Sequence, residues 1–127
     1  MFGKTWRWAG TFRTTGKTIG VPASQIPEAV HNLLANVKHQ VRQGDLPPDE
    51  IAMRFHHELV RIHPFANGNG RHARAMADLL LRELGRPPFT WGSADPDTAG
   101  RARSAYITAL RTADTGVLDA LRDFVRS

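Results

Sequence analysis

His63-Pro64-Phe65-Ala66-Asn67-Gly68-Asn69-Gly70-Arg71-His72-Ala73-Arg74 is the stretch on which the reading of this chain turns. Glycines at 68 and 70 allow successive backbone N–H groups to converge into a concavity that binds anions. The concavity opens a helical pattern, whose first N–H groups and dipole also favour phosphate. Arg71 and Arg74 lie three residues apart, on neighbouring parts of one helix face. Two guanidinium groups so placed clamp phosphate oxygens with charge-assisted hydrogen bonds. His63 stands just ahead, a residue that takes a proton near neutral pH. A helix–loop–helix turn with a capping histidine and solvated arginines would explain a lone Gly-x-Gly. It does not explain seven positions that agree on one chemistry.

Outward from this loop the pattern is helical. Upstream, Ile26, Val30, Leu33, Leu34, Val37 and Val41 recur at helical spacing, and Gly44 with Pro47-Pro48 ends the run. Asp49-Glu50 opens a second helix with acids suited to its N-terminal dipole. Its stripe is Ile51, Phe55, Leu59 and Ile62, and Pro64 stops it. The third helix runs from about Asn69 to Leu84, with Ala73, Met76, Leu80 and Leu84 inward, and Gly85 with Pro87-Pro88 closes it. After a loop rich in Asp, Pro and Gly, a fourth helix carries Ala102, Tyr106, Ala109, Leu110 and Ala113. A short last helix carries Val117, Leu121, Phe124 and Val125. Near the start, residues 11–21 alternate weakly around Gly16-Lys17, and a glycine there suits the two-residue turn of a β-hairpin. The expected fold is mainly α, a single domain over residues 1–127 with one small hairpin.

The 127 residues fit one domain able to bury a core. Apolar residues are 41% and charged residues 23%, ordinary for a soluble globular chain. No run of 18 apolar residues offers a membrane span, and Trp6, Arg7 and Trp8 interrupt any signal-peptide pattern. There is no cysteine, which excludes disulfides and thiolate chemistry and fits a reducing cytoplasm. The net charge of +5 admits a nucleic acid, an anionic ligand such as a nucleotide, or simply a basic surface. Basic residues are scattered, with no block of five, so nucleic acid is not the expected partner.

Three further signals fail. Gly16-Lys17-Thr18 resembles the end of a P-loop, but Thr11 stands where the first glycine is required. His56, His57, His63 and His72 lack the spacing of a zinc pair and have no Cys partner. Trp6, Trp8 and Trp91 are not interleaved with a basic run, so core or interface packing explains them better than base stacking.

The loop resembles the signature of the Fic family, His-x-Phe-x-(Asp/Glu)-Gly-Asn-Gly-Arg-x-x-Arg. The match holds at His63, Phe65, Gly68, Asn69, Gly70, Arg71 and Arg74, and Asn67 replaces the acid. Trp8-Ala9-Gly10 with Phe12-Arg13 looks like the family's entry into a β-hairpin flap, and Tyr106 to Asp114 with Phe124 looks like its closing helices. The whole pattern is most similar to the subgroup called mobile mystery protein B. The resemblance implies a helical bundle that transfers AMP from ATP to a hydroxyl side chain of a target protein. His63 would be the general base and Phe65 the anchor of the loop. Gly68, Asn69 and Gly70 would bind the phosphates, with Arg71 and Arg74 on the β- and γ-phosphates. The flap, Thr14, Thr15, Gly16, Lys17, Thr18, Ile19 and Gly20, would hold the target segment as an added strand. Tyr106 fits either the adenine or, better, the core.

Mg²⁺ or Mn²⁺ would accompany ATP, with Asn67 offering an amide oxygen in place of a carboxylate. That substitution keeps two other readings open: a nucleotide-binding module that no longer catalyses and acts as a regulatory partner, or a transferase using another phosphate-containing donor. The family's inhibitory motif, (Ser/Thr)-x-x-x-Glu-(Gly/Asn), pairs its glutamate with the second loop arginine, here Arg74. The only glutamates are Glu28, Glu50, Glu58 and Glu83. Ser24 and Glu28 have the spacing, but Ala29 follows and Pro27 breaks the helix. The expectation is therefore a chain without its inhibitory segment or N-terminal helices, by truncation or because an antitoxin or helix supplies the glutamate in trans, with Arg74 open to a γ-phosphate. Phe2, Trp6 and Trp8 are then expected to favour self-association or capture of that helix.

Overall fold

The computed structural model describes residues 20–64, 68–98 and 100–127. Five α-helices carry the fold: α1 Ile26–Gln43, α2 Pro48–Ile62, α3 Asn69–Glu83, α4 Arg101–Asp114 and α5 Asp119–Val125. The expectation of a mainly helical chain holds. The hairpin expected around Gly16-Lys17 lies outside the described residues, among which no strand occurs. No helix among the described residues is long and apolar enough to cross a membrane.

Pro27 sits in the first turn of α1, where its missing N–H breaks no helical bond. Gly44 ends the helix at φ +70°, its N–H donating to the Gln40 carbonyl at 3.2 Å. Ile26, Val30, Leu33 and Val37 face inward as expected, but Val41 is exposed. The helical period carries position 41 to the edge of the stripe. Val117 is exposed too, because it lies in the link before α5 and outside any helical period. Leu34, Leu84 and Leu110 are partly buried against the core rather than within it.

The centre of the core is Phe55, Met53, Leu59 and Ile62 of α2 against Met76, Leu80 and Leu81 of α3, all almost wholly buried. Asp49 and Glu50, expected at the α2 dipole, also hold the far end of the chain. Arg126 makes a fork on Asp49, Nε to Oδ2 at 3.0 Å and Nη2 to Oδ1 at 2.8 Å. Arg122 does the same on Glu50 at 3.1 and 3.0 Å. The hydrogen bond from Arg126 outweighs burial and holds the Asp49 carboxyl below its ordinary range. Arg126 further donates to the carbonyls of Pro87 and Pro88 and lies 4.7 Å over the Phe89 ring.

Asp78 of α3 receives the Phe89 N–H at 3.1 Å and the Trp91 indole N–H at 3.2 Å, so its carboxylate is occupied by structural donors. Three successive residues, Trp91, Gly92 and Ser93, adopt positive φ there. A Cβ on Gly92 would stand 2.8 Å from Cε1 of Phe124, and its φ of +77° disfavours any side chain. Gly92→Ala is expected to destabilise the fold by about 1–3 kcal/mol, from left-handed backbone strain and overpacking. A urea midpoint equal to the parent's would refute this.

Candidate functional site

The α2 helix stops at Ile62, and its C-cap is His63, held in the left-handed region at φ +53°. The His63 N–H donates to the Leu59 carbonyl at 3.0 Å, the last i→i−4 bond of the helix. Histidine tolerates this conformation better than branched residues do. Val21 N–H donates to the Ile62 carbonyl at 3.3 Å and brings the entry of the chain beside His63. Of the expected flap residues only Gly20 is described; Thr14, Thr15, Gly16, Lys17, Thr18 and Ile19 lie outside the described residues, as do Phe65 and Asn67.

Gly68 is the N-cap of α3, at φ +72°, a conformation that suits glycine and turns the backbone into the helix. Gly70 serves differently from the expected nest. It is helical, and its role is close approach: a Cβ there would lie 3.0 Å from Nη1 of Arg74 and 3.8 Å from the Tyr106 hydroxyl. Asn69 is buried in the first turn. His63, Gly20, Asn69 and Gly70 share a cleft of about 730 Å³ whose far wall includes Leu110, Ala113 and Asp114. His57 and Asp114 meet on that wall at 2.8 Å.

Arg74, expected to be open, is instead occupied by an aspartate, which it shares with Arg71. Arg71 Nε donates to Oδ2 of Asp97 at 2.8 Å, and Arg74 Nη2 donates to the same oxygen at 2.6 Å. Arg71 is otherwise largely exposed, its side chain 77% accessible, whereas Arg74 is 8% exposed. Burial works against the Arg74 charge, and the hydrogen bond to Asp97 outweighs it. The Arg74 guanidinium also lies 5.2 Å over the ring of Tyr106. Tyr106 Oη shares a 2.8 Å hydrogen bond with Nε2 of His56, which is fully buried against Trp91. Burial first, then the charge of Arg74, lowers the His56 imidazole to about 3, so it stays neutral. Burial likewise raises the Tyr106 phenol, which stays protonated. Tyr106 is thus a core residue that supports the clamp.

His56, Trp91 and Asp97 were absent from the sequence-based site. Their separations from α3 carry no periodic signal, and only the fold brings them to it. Among the described residues no group of three His, Cys, Asp or Glu side chains stands where a metal ion could be held.

A model of the Fic/DOC family matches residues 1–81. Protein adenylyltransferase fic-1 of Caenorhabditis briggsae is 33% identical over 121 residues, covering 93% of this chain and 22% of that protein. Protein adenylyltransferase Fic of Drosophila grimshawi is 32% identical over 120 residues, covering 92% of this chain and 23% of that protein. A solved structure of Fic-1 from Caenorhabditis elegans superposes with a TM-score of 0.66 at 26% identity, covering 91% of this chain and 32% of the other. The chain thus spans under a quarter of the length of these curated relatives. With its loop, its helices and these likenesses in agreement, the chain belongs to the Fic/DOC family.

Proposed function

We propose that this domain transfers AMP from ATP to a hydroxyl side chain of a protein. The observation that carries the reading is the convergence of Arg71 and Arg74 on one carboxylate oxygen beside the glycine-capped start of α3. Two guanidinium groups that meet on one anionic oxygen form a site for a multiply charged anion. The α-phosphate would rest at the α3 N-terminus, the β- and γ-phosphates on the arginines, and the nucleoside in the cleft beside His63. His63 would take the target hydroxyl proton as its oxygen attacks the α-phosphorus. The bond to the bridging oxygen breaks, and pyrophosphate leaves with its charge held by Arg71 and Arg74. The finer similarity to the mobile mystery protein B subgroup belongs to this reading, as do a target docked on residues 14–20 and a divalent cation carried in on the donor's phosphates.

Relatives named protein adenylyltransferase support the reaction class. The test is an intact-mass measurement after incubation with ATP and Mg²⁺ or Mn²⁺, alone and with a lysate. The expected result is addition of one AMP to the domain or to a lysate protein. Binding of ATP with no adduct on any protein would leave a nucleotide-binding module and overturn the transferase. An adduct formed only from another nucleotide would overturn ATP as the donor.

A further inference from the structure

We infer that Asp97 is a built-in stand-in for the donor's terminal phosphates, occupying Arg71 and Arg74 until a polyphosphate displaces it. The identity of the displacing ligand rests on the proposed function; the occupation of the clamp does not.

One oxygen, Oδ2 of Asp97, accepts from both arginines, at 2.8 and 2.6 Å. A carboxylate and a phosphate present the same acceptors to a guanidinium fork, so both cannot hold the same N–H groups at once. A second observation points to a ligand. Arg74 is more than nine-tenths buried, yet among the described residues its Nη1 meets no hydrogen-bond acceptor. That atom lies beside Gly70, where a Cβ would stand 3.0 Å away. An enclosed, charged donor without an acceptor costs free energy, and a phosphate oxygen arriving over Gly70 would satisfy it.

The two sides of Arg74 differ in permanence. Behind it stand Tyr106 and His56, both buried and joined at 2.8 Å, which fix the guanidinium plane. In front stands Asp97, on a surface turn that makes its own bonds. Asp95 Oδ1 accepts the Asp97 N–H at 2.9 Å, Asp95 Oδ2 accepts the Thr98 hydroxyl at 3.1 Å, and Arg103 donates to the Asp97 carbonyl at 3.5 Å. These bonds use the backbone of Asp97 and leave its carboxylate to rotate away while the turn persists. Burial pushes that carboxyl upward, but hydrogen bonds from Arg74 and Arg71 outweigh it and hold it below its ordinary range. The stand-in is therefore charged at neutral pH, and competition by ligand, not protonation, releases the clamp.

Apparent affinity falls by the fraction of molecules in which the clamp is vacant, so removing a carboxylate that holds it nine-tenths of the time tightens binding about tenfold. Calorimetry with inorganic tripolyphosphate, ATP and AMP on the parent and on Asp97→Asn and Asp97→Ala tests this. Tripolyphosphate and ATP are expected to bind both variants about tenfold more tightly, and AMP, which leaves the arginines bare, within about twofold of the parent. Asp95→Asn removes the same charge from the same turn without touching the arginines, and is expected to gain no more than about twofold. Urea midpoints within error of the parent's establish that the variants are folded. Unchanged or weaker tripolyphosphate binding in both Asp97 variants, no tripolyphosphate binding by any form, or an equal gain in Asp95→Asn or for AMP would overturn the stand-in. Tighter tripolyphosphate with ATP no tighter than tripolyphosphate would uphold the stand-in and discard the nucleotide reading instead.

Discussion

His63→Ala is expected to lower AMP transfer by a factor of about 10² to 10⁴ and to leave ATP affinity within about twofold. His63 caps α2 and borders the cleft, and the cap bond to Leu59 is made by its backbone, which alanine retains. The phosphate contacts proposed for ATP come from Gly68 to Gly70, Arg71 and Arg74, none of which the substitution alters. What is lost is the imidazole, and with it the acceptor for the hydroxyl proton. The conformation is the one complication, because alanine at φ +53° carries left-handed strain worth about 1–2 kcal/mol. His63→Gly removes the imidazole without that strain, so the two variants separate chemistry from folding. Both are expected to show the same loss of transfer, with the glycine form, which relieves the strain that histidine and alanine share, at the higher urea midpoint of the two. Transfer at the parent rate in either variant would show that His63 is not the base.

The helices and the loop were legible in the sequence because their signals are local. The spacing of Ile26, Val30, Leu33 and Val37, and the stop at Gly44, place α1 where it is found. His63, Gly68, Asn69, Gly70, Arg71 and Arg74 gather at one end of the α2–α3 pair because they lie within twelve residues of chain. What the sequence hid arises from contacts between distant segments. Asp97 reaches α3 from 23 and 26 positions away, out of a stretch that reads only as a turn. His56 lies on the α2 stripe and reads as one more helical residue until Tyr106, 50 positions on, is brought against it. The expectation of an open Arg74 failed for the same reason. The inhibitory motif calls for a glutamate at helical spacing, whereas the fold delivers an aspartate from a turn. Gly70 shows a subtler gap: glycine was expected there for its backbone freedom, whereas the space over Arg74 is what requires it.

Acidification is expected to weaken the fold well before its carboxylates protonate. Burial, then the charge of Arg74, lowers His56 from 6.5 to about 3, and burial lowers His72 to about 4. In the unfolded chain both imidazoles take up protons below about 6.5, while in the folded chain they do not. Protons therefore favour the unfolded state, and the stability present above pH 6.5 is lost as pH falls toward these lowered values. Each histidine contributes a slope of up to about 1.4 kcal/mol per pH unit, so a move from pH 6.5 to 5 costs about 1.5 kcal/mol for each and about 3 for both. Asp49, Glu50 and Asp97, whose carboxyls are held low by arginine hydrogen bonds, add a loss of the same sign only when pH falls toward and below 4. The two groups of residues thus act in separate windows. Urea denaturation at pH 7, 6 and 5 reads the histidine window alone. His56→Gln keeps a partner for Tyr106 but cannot titrate. It is expected to start less stable at pH 7, through imperfect packing, and to lose only about half as much on going to pH 5. A parent equally stable at pH 7 and 5, or a His56→Gln variant with the parent's full slope, would remove His56 as the cause. The same titration bears on the site, because the imidazole that must stay neutral is the one that holds Tyr106 beneath Arg74. Because that imidazole stays neutral in the folded chain down to about pH 3, the folded parent is expected to keep the Tyr106 support of Arg74 unchanged between pH 7 and 5.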